Sequence, residues 1–237
     1  MSYSFCFGPS GSGKSHYLRQ KIIERARRSL SGFGKDRKKY IVIVPEQYSM
    51  QTQHDLILED SRNVLMNIDV LSFGRLAHRV FSETGEDRRA VLDDIGKSLL
   101  LRRAASVCAG DLQILKRSIH SPGMIDEIKS VLSEFMQYGI GEEQIEQMAA
   151  FAEKNNRNAL KTRLDDIKRL SAEFRKEKEG RYLTSEETLD LLARAIPRAK
   201  SLQGAVIVFD GFTGFTTLQY RVITELIFSW VCSIECL

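Results

Sequence analysis

The feature that most constrains this chain is the run Gly8-Pro9-Ser10-Gly11-Ser12-Gly13-Lys14-Ser15, which matches G-x-x-x-x-G-K-[ST] in full. The pattern has a physical reason. Its glycines let the backbone curl until successive N–H groups point inward, making a concave anion site. A helix starting near Lys14 adds the positive end of its dipole. Lys14 is then placed to reach the β- and γ-phosphates of a nucleoside triphosphate, and the Ser15 hydroxyl to ligate Mg²⁺. Context supports this reading over a Gly/Ser-rich turn that merely contains Lys-Ser. The apolar run at residues 3–7 precedes the loop as a buried strand would. Leu18, Ile22, Ile23 and Ala26 follow it at the spacing of one helix face.

A P-loop site needs an acid after a buried strand. Residues 205–209 (AVIVF) are wholly apolar and Asp210 follows. Asp210 is therefore the expected second Mg²⁺ ligand, direct or through water, beside Ser15; the bland alternative is an aspartate that only caps the strand-to-loop turn. Hydrolysing helicases usually place a glutamate next, to orient the attacking water. Here Gly211 and Phe212 stand there. Without a positioned base, assistance worth roughly 10² to 10⁴ in rate is lost. Glu186, Glu187 and Asp190 fall in a helical segment and are poor substitutes. Nucleotide binding is thus expected more firmly than hydrolysis.

The chain reads as three stretches. Residues 1–90 alternate strand and helix patterns: β-branched residues 40–44 (YIVIV) ended by Pro45, a helix about 48–60, a strand at 64–71, and a helix at 73–83 closed by Thr84-Gly85. Residues 91–200 carry no strand-like run. They hold amphipathic segments at 95–107, 112–117, 125–138, 142–154, 159–178 and 186–195. Ser121-Pro122-Gly123 suits a helix start with proline in the first turn. Thr184 with Glu187 fits a capping box. Residues 201–237 return to β character, with a helix at 219–228 and a last strand at 231–234. A chain ending on a strand with no covering helix is expected to be part of a larger domain.

The expected fold is α/β, a parallel sheet with flanking helices and an all-helical insertion. The net charge of +4, from 35 basic and 31 acidic residues, permits a nucleic-acid partner without demanding one. Basic residues do cluster at Arg19, Lys21, Arg25, Arg27 and Arg28, and at Lys35, Arg37, Lys38 and Lys39, as a solvated face or a phosphate contact. No stretch reaches the roughly 18 to 20 apolar residues of a membrane helix. The first apolar run leads straight into the glycine loop, unlike a signal peptide, so a cytoplasmic protein is expected. Cys6, Cys108, Cys232 and Cys236 are scattered, and His16, His54, His78 and His120 are isolated, so no metal cluster is expected from them.

Taken together, GPSGSGKS, IVIVPEQYSMQTQ, DVLSFGRLAHRVFSETG, LDDIGKSLLLRR, SPGMIDEIKSVLSEFMQYGI, GRYLTSEETLDLLA and AVIVFDGFTGFTTLQ resemble a family. It is the N-terminal region of the B subunit of the bacterial ATP-dependent helicase/deoxyribonuclease of the AddAB (RexAB) type, which processes double-strand DNA ends for recombinational repair. The resemblance runs along nearly the whole chain. It implies a P-loop NTPase RecA-like lobe of a superfamily 1 helicase scaffold, using ATP and Mg²⁺, with an inserted helical subdomain. It also implies single-stranded DNA contacts at Pro45, Glu46 and Gln47 and at Ser72 and Phe73, where the alternative is a strand-ending proline, a helix cap and packing. It further implies a heterodimer with an A subunit that drives unwinding on DNA ends. The nuclease domain and 4Fe-4S cluster of the family lie farther along a full-length chain, so none of the four cysteines here is assigned to the cluster, and this stretch is not expected to cut DNA. Two other readings stay open: a stand-alone P-loop kinase or phosphotransferase, and a pseudo-ATPase that holds nucleotide as structural glue.

Overall fold

The computed structural model describes residues 2–31, 38–60, 67–86, 89–119, 121, 123–229 and 233–236. It is a mixed α/β chain, mostly helical, in two compact units. The first unit comprises Met1–Asp87, Leu189–Phe215 and Gln219–Leu237; the second comprises Arg88–Thr188 with Thr216–Leu218.

The first unit is built on five parallel strands: β1 (Ser2–Phe5), β2 (Tyr40–Ile43), β3 (Ile68–Leu71), β6 (Val206–Phe209) and β7 (Ser233–Cys236), in the order β1-β7-β6-β2-β3. The sequences of β2 and β6, YIVI and VIVF, are apolar at every position because both lie inside the sheet with all four residues buried. In β3 buried and half-buried residues alternate, as suits its place at the sheet edge. The last strand lies two residues beyond the expected 231–234, and residues 231 and 232 fall outside the described residues. So do 64–66 of the third expected strand, Lys35 and Arg37 of the basic loop, and His120.

Two helices cover one face of this sheet. They are α1 (Lys14–Ser31) and α2 (Ser49–Glu59). Leu18, Ile22, Ile23 and Ala26 of α1 and Leu56 of α2 cluster with Tyr40, Val42, Val44, Ile68, Val70, Val206 and Val208. The opposite face carries α3 (Phe73–Thr84), the part of α8 (Ser185–Ala195) from Leu189 on, and α9 (Thr217–Ser229). There Leu76, Val80, Leu192, Val222 and Leu226 cluster with Ile41, Ile43, Ile207 and Phe209. Gly85 closes α3 with φ 71°, the left-handed conformation a glycine adopts without penalty.

The second unit holds α4 (Asp94–Cys108), α5 (Met124–Gln137), α6 (Glu142–Lys154) and α7 (Asn158–Lys178) around Leu101, Ile119, Ile128, Leu132, Leu170 and Phe174. It is not entirely helical: β4 (Ala90–Val91) and β5 (Tyr182–Leu183) pair in parallel, two residues each. A pair that short is too brief to leave an alternation signal. The segment at 112–117 makes only a 3-10 turn, Leu115–Arg117. The fully buried Asp166 caps its start, its carboxylate accepting the N–H groups of Gln113, Ile114 and Leu115, each at 2.9 Å. Helix α5 starts at Met124, after Pro122, which lies outside the described residues. The capping box forms reciprocally: Glu187 N–H donates to Thr184 Oγ1 at 3.2 Å, and Thr184 N–H to Glu187 Oε2 at 3.0 Å.

Candidate functional site

All strands of the large sheet run parallel, so their carboxyl ends share one edge, and the chemistry-bearing residues sit there. The glycine-rich loop of residues 8–13 follows β1, Pro45-Glu46-Gln47 follows β2, Ser72-Phe73 follows β3 and Asp210 follows β6. From β2 the chain runs outward to β3, then returns to place β6 on the other side of β2. Such a reversal opens a crevice at the carboxyl ends, where ligands of open α/β sheets bind.

The loop geometry has a local cause at each glycine. Gly11 and Gly13 have φ of 76° and 82°, and a Cβ on Gly8 would lie 2.7 Å from Ser12 Oγ. Only glycine adopts the conformations of Gly11 and Gly13 without strain, while a side chain at Gly8 would require Ser12 to turn its hydroxyl away. Helix α1 begins at Lys14, so the unbonded N–H groups of its first turn face the loop. The Lys14 ammonium donates to the carbonyl oxygens of Gly8 at 3.0 Å and Pro9 at 2.9 Å. The cation is therefore held over the loop it closes.

The structure brings Ser15 and Asp210, 195 residues apart, into direct contact: Ser15 Oγ donates to Asp210 Oδ1 at 2.8 Å. One strand, β7, stands between the strands that lead to them. Asp210 is buried, and its N–H donates to Ile43 O at 3.0 Å, which ties the end of β6 to β2. A hydroxyl and a carboxylate at this separation can serve one hard cation as neighbouring oxygen ligands. Among the described residues, no group of three or more His, Cys, Asp or Glu is arranged to hold a metal ion.

Gly211 follows with φ 77°, and its α-carbon backs onto the β2 turn. A Cβ there would lie 3.6 Å from Pro45 Cδ and 3.7 Å from Tyr48 Cδ2. The turn itself is a 3-10 segment, Glu46–Tyr48, with Glu46, Gln47 and Tyr48 exposed and Pro45 half-buried. Ser72 and Phe73 lie deeper, 3% and 7% exposed. Ser72 Oγ accepts the Arg75 N–H at 3.3 Å as the cap of α3. Phe73 packs against Phe209 and Phe212, at centroid distances of 6.0 and 5.7 Å. As placed here, neither side chain presents a surface to a ligand. The cluster continues through Phe215 to Tyr220 and anchors the loop after Asp210. Sequence reasoning missed this anchor and the nearness of Tyr48 to Gly211. The spacing of Phe209, Phe212 and Phe215 was the available signal.

The basic face of α1 is largely engaged within the molecule. Arg19 bonds Glu59 at 2.7 Å, Arg27 Nε bonds Asp60 at 3.1 Å, and Arg28 pairs with Glu24. Burial pushes the Glu59 carboxyl up, but hydrogen bonds and charge from Arg19 and His16 outweigh it and hold it below the ordinary value. Lys39 pairs with Asp69 at 3.5 Å. The acids weighed as substitutes for the missing glutamate are likewise engaged. Asp190 bonds Arg194 and Arg221, Glu187 bonds Lys178, and Glu186 bonds Lys97. Among the described residues no helix is long and apolar enough to cross a membrane.

Comparison with known proteins agrees with the family resemblance read along the sequence. A family described as ADDB, N-terminal, matches residues 5–230. The B subunit of the ATP-dependent helicase/deoxyribonuclease of Lachnoclostridium phytofermentans is 36% identical over 226 residues, covering 95% of this chain and 19% of that protein. The corresponding B subunits from Clostridium tetani and Desulforamulus reducens are each 33% identical over 227 residues, 96% of this chain and 19% of theirs. The chain thus spans about a fifth of the length of the curated relatives it matches. With residues 5–230 matched, the chain belongs to the ADDB N-terminal family.

Proposed function

We propose that the first unit is a RecA-like nucleotide-binding lobe, and that Gly8, Pro9, Ser10, Gly11, Ser12, Gly13, Lys14 and Ser15 hold the phosphates of ATP with Mg²⁺ at Ser15 and Asp210. The observation that carries this reading is the 2.8 Å contact between Ser15 Oγ and Asp210 Oδ1. Two residues so far apart in sequence converge where a P-loop site needs its two oxygen ligands. The positive-φ glycines and the α1 N-terminus supply the anion cradle. Lys14 must exchange the carbonyls of Gly8 and Pro9 for phosphate oxygens. Bound Mg²⁺ would neutralise phosphate charge. The residues present fit that cofactor pair.

On this reading binding outruns hydrolysis. Gly211 takes the place of a water-orienting glutamate, and Glu186, Glu187 and Asp190 are held in ion pairs. In the setting of its family, the chain would serve as the nucleotide-binding N-terminal part of the B chain of a heterodimer. It would work with an A subunit on double-strand DNA ends, in the cytoplasm, with the nuclease and the 4Fe-4S cluster supplied elsewhere in the assembly. DNA contact then falls to the exposed Glu46 and Gln47 with Pro45, on the turn beside Gly211. The test is calorimetry of ATP–Mg²⁺ binding to the native protein and to Lys14→Ala. Saturable binding lost in the variant is expected. Absence of binding to the native protein, or equal binding to both, would sink the proposal. Transfer of phosphate to a small acceptor would favour a phosphotransferase instead.

A further inference from the structure

We draw no further inference here: the strongest candidate, the surface patch of Ile95 and Leu99, one turn apart and exposed on α4 of the second unit, carries nothing, since nothing in the structure shows what covers it.

Discussion

Replacing Gly211 separates two explanations for the absent glutamate. If only chemistry distinguishes this site from a hydrolysing one, Gly211→Glu should supply the base and raise turnover by roughly 10² to 10⁴. The backbone argues otherwise. With φ at 77°, any side chain starts from a left-handed residue, at a cost of about 1–2 kcal/mol. The loss of glycine's freedom in the unfolded chain returns about 0.4–1 kcal/mol of this. The Cβ itself meets Pro45 and Tyr48 at 3.6 and 3.7 Å, ordinary contact that adds little. Gly211→Ala and Gly211→Glu should therefore each cost about 0.5–1.5 kcal/mol. Gly211→Asn should cost less, since asparagine visits this conformation routinely. Gly211→Val should cost more, because a β-branched residue tolerates it least. Thermal unfolding followed by circular dichroism reads the series, at about 2–4 °C per kcal/mol for a chain of this size. ATP turnover of Gly211→Glu should stay within about threefold of native, because the left-handed backbone sends the Cβ toward Pro45 and Tyr48 of the β2 turn, a direction that gives the carboxylate none of the base assistance. A hundredfold rise in turnover, or an unfolding midpoint for Gly211→Val equal to that of Gly211→Asn, would refute the backbone argument.

Three further outcomes concern the second unit. Lys97 and Glu186, 7% and 6% exposed, pair at 2.9 Å, so Lys97→Met should cost about 3–5 kcal/mol in urea unfolding by stranding a buried carboxylate, and Lys97→Met/Glu186→Leu should recover most of it. Burial pushes the Glu186 carboxyl up, but the hydrogen bonds and charge of Lys97 outweigh it and hold it below its ordinary 4.5. Its contribution to stability is thus complete above about pH 4.5 and lost as pH falls through the lowered value; Glu186→Gln should flatten the acid limb of a stability–pH curve, and an unchanged slope would contradict the assignment. Asp166→Asn should cost about 2 kcal/mol, because an amide returns one acceptor oxygen to three N–H donors and turns its own NH₂ toward them; a change under ~0.5 kcal/mol would count against that role.

What could be read before the fold was seen depended on how local its cause is. The positive-φ glycine turn before α1, the apolar runs that became β2 and β6, and the Thr184–Glu187 box are set by residues within a few positions of one another, and periodicity or motif spacing carries them. Features that depend on a partner far along the chain left no such trace. Nothing near residue 112 announces that the carboxylate of Asp166 will accept the N–H groups of residues 113–115. A two-residue strand such as β5 has no period to detect. Ser72 and Phe73 show the same division: the motif located them at a strand end on the binding edge, while burial assigned them to a cap and to the core. The serine can be recognised as a cap from its position before α3, but the ring's burial follows from Phe209 and Phe212, over 130 residues away in sequence. The site itself combines both kinds of information. Gly211 is visible in the sequence only as a glycine after the strand-end acid, and it is the backbone, turned left-handed against Pro45 and Tyr48, that gives a reason for glycine there.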